Sequence, residues 1–256
     1  MYKGKKVTVV MPAYNAAQTL ERTYREVMDQ EVVDSVILVD DGSSDDTVRI
    51  AEGLPGVEVF VHERNAGYGA NQKTCYREAL ARGADMVIMV HPDYQYTPRL
   101  IPAMAALIGN GLYHCVLGSR ILAGQALAGG MPWWKYAANR FLTLVENLLL
   151  GAKLSEYHTG YRAFSRELLE ALPLELNSDD FVFDNQVLAQ IHWLGVTIGE
   201  ISCPARYFEE ASSINFRRSV LYGLGCVWTG LGFRLAKMGI ARSRRFQHNA
   251  VFSTRP

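Results

Sequence analysis

Paired cysteines are missing from this chain. Its four thiols, Cys75, Cys115, Cys203 and Cys226, show no CxxC spacing and no regular framework. That excludes a disulfide-built scaffold and points to reduced, structural thiols in a cytosolic protein. A signal-peptide core is missing too, because MYKGKK runs straight into the strand-like VTVVM. Nor is there a convincing membrane span. The uncharged run Ser219–Phe233 has 15 residues between Arg218 and Arg234, short of the roughly 20 that a spanning helix requires. It holds Gly223, Gly225, Gly230 and Gly232, each costing about 1 kcal/mol against alanine inside a helix. The segment is therefore expected to lie in a membrane interface or to pack on the domain. Internal repeats and low-complexity stretches are also lacking.

One sign of charge is absent locally. Residues 211–256 contain eight basic side chains and no acidic one, so the first 210 residues carry −8 against +8 in the remainder, and the whole is neutral. Such a tail could face an anionic lipid surface, a phosphorylated acceptor, or an acidic surface of the same protein. A solvated helix face folded back on its own domain is an equally good expectation. No nucleic-acid partner is expected.

What is present is an alternation. Strand-like runs recur at Val7–Met11, Val36–Val39, Val57–Val61, Met86–Val90 and Cys115–Gly118, and helix-like segments fill the intervals. With a hydrophobic share of 49%, this predicts an α/β domain with a mainly parallel central sheet flanked by helices. Beyond Arg120 the spacing predicts helices over Trp133–Leu150 and Phe181–Trp193 and a short strand over Val196–Ile201. The expected division is a domain over 1–210 and a basic C-terminal helix and tail over 211–256.

The most informative stretch is VILVDDGSSDDT at Val36–Thr47. A β-branched run ends in Asp40 and Asp41, followed by a Gly-Ser turn and a helix start where Ser43 and Asp46 have capping-box spacing. Both carboxylates would lie at the sheet edge where open α/β folds bind ligands. Carboxylates accept from nucleobase N–H groups or sugar hydroxyls, which points to a nucleoside site. A second strand end carries His91, Asp93 and Gln95 at alternate positions, able to face one ion together. Imidazole and oxygen ligands suit Mg²⁺ or Mn²⁺. Alone, a His-x-Asp is more often an ordinary turn.

Taken in order, VVMPAYNAAQTL, VDDGSSDDT, RNAGYGANQ, HPDYQ, the Gly118–Arg120 step, HTGYRAFSR and ARYFEEASSINFRRS resemble family 2 glycosyltransferases of the GT-A fold. The dolichyl-phosphate mannose synthase-like branch is the nearest in pattern. The resemblance spans roughly residues 5–220 and implies a Rossmann-like GT-A domain. It implies nucleotide binding by Pro12, Ala13, Tyr14, Asp40, Asp41, Asn65 and Gly67, with metal ligation by His91, Asp93 and Gln95. It places Arg120 and Arg162 near donor and acceptor phosphates. The implied activity is metal-dependent, inverting transfer from a UDP- or GDP-linked sugar to a polyprenyl phosphate or a glycan hydroxyl, in glycolipid or cell-surface polysaccharide assembly. The implied location is cytoplasmic, including the inner membrane face.

A hydroxyl acceptor needs a base, and Glu156 is the first candidate, His158 the next, then Asp179, Asp180 and Asp184. A phosphate acceptor needs none. Simple helix capping is the preferred role for Asp179 and Asp180. Three departures from the family pattern stand out. His91 replaces a metal aspartate, Ala16 replaces a glutamate, and Gln186 replaces an acid. They leave a second reading open, a nucleotide-sugar-binding scaffold without turnover. A sugar nucleotidyltransferase ranks low, because PAYNAAQTL after the first strand lacks a Gly-rich basic phosphate loop.

Overall fold

Buried β-branched runs become the sheet. The computed structural model describes residues 1–204 and 216–246. Val7–Ala13 (β1), Ser35–Asp40 (β2), Val57–Val61 (β3) and Met86–Met89 (β4) pair in parallel, in the spatial order β3-β2-β1-β4. Cys115–Ser119 (β5), Arg162–Ser165 (β6) and Ile198–Ser202 (β7) complete a seven-stranded sheet, with β6 antiparallel between β4 and β5 and β7 parallel to β5. Every residue of β1 is buried, as a strand covered on both faces must be.

Alternate side chains of β1 serve two separate cores. Val9 and Met11 join Leu20 and Val27 of Leu20–Met28 (α1) and Met104 of Ile101–Gly109 (α4). Val10 faces the other way, toward Tyr76 of Tyr68–Ala81 (α3) and Val187 of Phe183–Trp193 (α7). This is the period-two alternation of a strand. Thr47–Glu52 (α2) and Arg166–Ala171 (α6) are short, and α6 is capped by the Ser165 hydroxyl accepting from Leu168 N–H. Trp133–Leu150 (α5) has the limits the sequence predicts and stops at Gly151, in the left-handed conformation at φ 70°.

Phe216–Lys237 (α8) is one continuous helix lying against α5 and α7. Two of its glycines explain how it tolerates four. A Cβ on Gly230 would sit 2.8 Å from Leu149 of α5, and one on Gly225 2.5 Å from Val182. The helix gives up propensity for close approach. No helix among the described residues is long and apolar enough to cross a membrane. The expected boundary at 210/211, most of the ARYFEEASSINFRRS block, and Arg255 lie outside the described residues.

Three local expectations are corrected. No capping box forms at α2, because Ser43 turns back to Asp40 and Asp46 makes no cap bond. The N-cap of α7 is Val182, without a side-chain bond. Asp179 instead pairs with Lys73 at 2.8 Å, while Asp180 accepts from Phe181 N–H. Finally, β6 is a strand within HTGYRAFSR that the alternation did not reveal. All four cysteines are free and buried, as expected.

Candidate active site

The strand ends converge on one edge. Arg162, the first residue of β6, is registered opposite both Met89 of β4 and Leu117 of β5. Antiparallel β6 therefore begins where its parallel neighbours finish. The carboxyl ends of β1, β2, β4 and β5 thus deliver Tyr14, Asp40, His91 and Arg120 to the edge where α/β sheets bind ligands.

At the β1–β2 end, Asn15 stitches two loops. Its N–H donates to Ser43 Oγ at 2.8 Å, and its Oδ1 accepts from Ser44 N–H at 2.9 Å. Asn15 has φ 49°, a left-handed conformation that asparagine adopts more readily than most residues. Tyr14 is left 55% exposed beside this seam, open to a flat ligand. Pro12 and Ala13 are buried within β1, and the Ala13 carbonyl accepts from Asp41 N–H, so these two shape the edge from beneath.

The two carboxylates are already partly engaged. Asp40 is fully buried and accepts from Ser43 N–H and Oγ–H. Asp41 Oδ1 lies 2.8 Å from His62 Nδ1 and accepts from Ala66 N–H, and Oδ2 accepts from Gly67 N–H at 3.0 Å. A carboxylate oxygen accepts about two hydrogen bonds, so Asp41 Oδ2 retains one acceptor position. Asp41 thereby also fixes the loop carrying exposed Asn65. The glycines after it do not open amides to a phosphate. Gly69 and Ala70 N–H groups donate to the Asp179 carbonyl, and a Cβ on Gly67 would lie 2.4 Å from that oxygen. Another backbone segment passes there.

At the end of β4, the His91 ring stacks on Tyr68 with centroids 5.6 Å apart. A Cβ on Gly160 would sit 2.4 Å from His91 Cε1, so glycine makes room for the ring. Among the described residues, neither buried ring nitrogen has a hydrogen-bond partner. Burial holds the imidazole pKa below its ordinary 6.5, against the upward pull of Asp93 and Asp184 and with Arg162 adding to the depression. A neutral imidazole with an uncommitted lone pair is what a divalent ion takes. Asp93 lies two residues on, its Oδ1 accepting from Gln95 N–H at 3.1 Å across Tyr94, whose φ is 57°. The donor set of His91 and Asp93 fits Mg²⁺ or Mn²⁺, with Gln95 half-buried alongside. Buried Asp184 supports this corner, accepting from Tyr68 Oη–H at 3.0 Å and Gln72 Nε2–H at 2.9 Å.

Arg120 and Arg162 prove to be different kinds of arginine. Arg162 is 1% exposed, and its guanidinium donates to the carbonyls of Thr159, Tyr157 and Asp184, beside the Asp184 carboxylate. In this geometry it anchors the floor of the site. Arg120 binds Glu156 through its backbone N–H at 2.8 Å and its Nε at 2.9 Å, with Nη2 bridging to the His158 carbonyl at 2.6 Å.

Glu156 is fully buried and also accepts from Asn139 Nδ2 at 2.9 Å. Burial pushes its pKa up, but the charge and hydrogen bonds of Arg120 outweigh this and hold it below the ordinary 4.5. A carboxylate so engaged positions Arg120, and the expectation that it takes a proton is at odds with this geometry. His158 is held as well, Nδ1 lying 2.7 Å from Tyr222 Oη and Nε2 3.2 Å from Glu146 Oε2. Glu146, His158 and Cys226 gather ligand atoms within 4.8 Å of one another, the one such trio among the described residues.

Sequence reasoning missed Asn139, Glu146, Tyr68 and Tyr222. Three of these stand on helices α5 and α8, where an isolated polar residue carries no motif.

The family model described as Glycosyl transferase family 2 matches residues 8–172. A UDP-N-acetylglucosamine–dolichyl-phosphate N-acetylglucosaminyltransferase of Methanococcus voltae is 27% identical over 80% of this chain and 87% of its own length. An undecaprenyl-phosphate mannosyltransferase of Micrococcus luteus is 26% identical over 90% of this chain and 99% of its own. Among solved structures, glucosyl-3-phosphoglycerate synthase from Mycobacterium tuberculosis, in complex with Mn²⁺, UDP and its product, superposes with a TM-score of 0.69 at 20% identity. That match covers 94% of this chain and 82% of the other. At that identity the likeness concerns the fold, which is GT-A.

Proposed function

Because the chain belongs to glycosyl transferase family 2 and is a glycosyltransferase, we propose that it moves a sugar from a nucleotide-diphosphate donor to a polyprenyl phosphate. The observation that carries the acceptor class is the state of Glu156. The candidate base nearest Arg120 is an ionised carboxylate committed to that arginine, and His158 is engaged at Nδ1 by Tyr222, with Nε2 3.2 Å from Glu146 and making no hydrogen bond among the described residues. A hydroxyl acceptor would need one of them free to take a proton. A phosphate acceptor is already an anion and attacks without a base. The names of the Methanococcus and Micrococcus relatives, both acting on lipid-linked phosphates, support the same class.

In this reading Tyr14 and the remaining acceptor position of Asp41 receive the nucleoside. Arg120, oriented by Glu156, brings a permanent positive charge toward the phosphate oxygens. His91 and Asp93, with Gln95 alongside, would hold a divalent ion, which as a Lewis acid would lower the charge on the diphosphate leaving group. The division into a catalytic domain over 1–210 and a basic extension over 211–256 belongs to the same proposal.

The test is direct. The purified protein is incubated with UDP- or GDP-linked sugars and a short polyprenyl phosphate, with Mn²⁺ or with EDTA. Formation of a polyprenyl-phosphate sugar with one donor supports the reading, and its loss in Asp93→Ala or EDTA supports the ion. Transfer only to glycan hydroxyls would refute the acceptor class.

A further inference from the structure

Helix α5 is built inside out. Its buried side carries Asn139, Thr143 and Glu146, while Phe141, Leu144 and Leu148 stand in solvent. An amphipathic helix of a water-soluble domain shows the reverse. The inward polarity has an explanation, since Asn139 binds Glu156 and Glu146 faces His158. The outward apolarity has none among the described residues.

Helix α8, packed beside it, repeats the pattern. Leu224, Trp228, Leu231 and Leu235 recur at helical spacing on its exposed side, and Trp228 is 76% exposed. At about 1.5 Å per residue the row runs about 17 Å. Two adjacent outward apolar rows form one contiguous apolar face, the kind of surface that marks an interaction site.

Charge identifies the occupant. The first turn of α8 carries Arg217 and Arg218, and its last turn Arg234 and Lys237. Cations in a first turn oppose the helix dipole, so the dipole does not account for the two arginines. No acidic residue lies on α8, and the single acid of α5, Glu146, is buried. Apolar centre, exposed tryptophan and cationic ends together describe a helix lying in the plane of an anionic leaflet. In a two-fold dimer this face would meet itself and set cation against cation.

We propose that the α5–α8 face docks the protein on an anionic lipid bilayer, with the apolar rows entering the acyl boundary and the arginines and lysine engaging headgroups. The proposal stands independently of the acceptor reading. It gains a geometric consequence from Tyr222, whose hydroxyl meets His158 on the buried side of α8. The membrane-facing surface and the candidate site are then two sides of one helix.

Flotation of the full chain with phosphatidylcholine vesicles, alone or containing phosphatidylglycerol, tests this. The expected result is co-flotation with the anionic vesicles, weakened by salt and reduced by roughly tenfold or more in Leu224→Asp/Trp228→Asp. The pair Leu144→Asp/Leu148→Asp on α5 should behave alike. These side chains are exposed, and thermal unfolding of each variant verifies the fold. Failure of the parent chain to float, or flotation unchanged in both variant pairs, overturns the proposal. So does a parent dimer that either pair converts to monomer by light scattering, which would assign the face to a second copy.

Discussion

The Glu156 carboxylate accepts from both the main-chain N–H and the guanidinium of Arg120, at 2.8 and 2.9 Å. One buried acid thus fixes the position and the orientation of the arginine that follows β5. Its worth lies in what Arg120 can then hold.

Glu156→Gln should separate this role from base catalysis. It keeps the shape but leaves the buried guanidinium without a counter-charge, which costs roughly 3–5 kcal/mol. The pH dependence has a definite sign. The carboxyl is held below its ordinary value by Arg120, so its stabilisation is present above pH 4.5 and lost as pH falls through the depressed value. Urea unfolding of parent and variant should show a difference that is constant near neutrality and shrinks in acid.

Arg162→Lys and Arg120→Lys should fail in different ways. A lysine at 162 cannot serve three carbonyls and Asp184 from one ammonium, so unfolding should become easier by several kcal/mol, on the order of a broken buried pair. Lysine at 120 should retain more stability while turnover falls roughly a hundredfold, the scale of one lost transition-state donor. Paired melts and rate measurements distinguish them.

Gly160→Ala should act through His91. The added methyl would lie 2.4 Å from the imidazole, and overpacking of this kind costs about 1–3 kcal/mol. Nucleotide titration with and without Mn²⁺ should show weakened metal-dependent binding. In the His91→Ala background the same glycine substitution should be nearly silent, because the ring it strikes is gone.

His158→Gln should reduce turnover less than about a hundredfold and leave the shape of the pH–rate profile intact. Removing a true general base typically costs about 100- to 10,000-fold and removes a limb of that profile. Measuring kcat/KM from pH 5.5 to 9 on parent and variant decides between the two.

The frame of the molecule was readable because its signals are local. The β-branched runs ending in Asp40 and His91 mark strand ends, and Gly151 closes α5 where the pattern stops. What sequence could not convey is who meets whom across the fold. Arg162 looks like a phosphate ligand by residue type, and only the carbonyls of Tyr157, Thr159 and Asp184 reveal it as an anchor. Glu156 looks like a base until Arg120 and Asn139 are seen on it. Gly67 and Gly69 look like a phosphate loop, but the space they leave belongs to the backbone of Ser178 and Asp179. Strand β6 was hidden because its residues, Arg-Ala-Phe-Ser, lack the apolar run that marks the equally short β4. The inverted face of α5 needed coordinates, since apolar spacing alone does not say which side is inside.

The position of β6 bears on how the chain comes off the ribosome. Strand β4 borders β1 on one side and β6 on the other, yet Arg162 is made some 70 residues after Met89. At about 5–20 residues per second of synthesis, a nascent β3-β2-β1-β4 sheet waits for several seconds with a bare hydrogen-bonding edge. Such an edge invites pairing with other chains. Slowing translation between residues 90 and 160 should therefore raise misassembly more than the same delay placed after residue 170, when that edge is already closed.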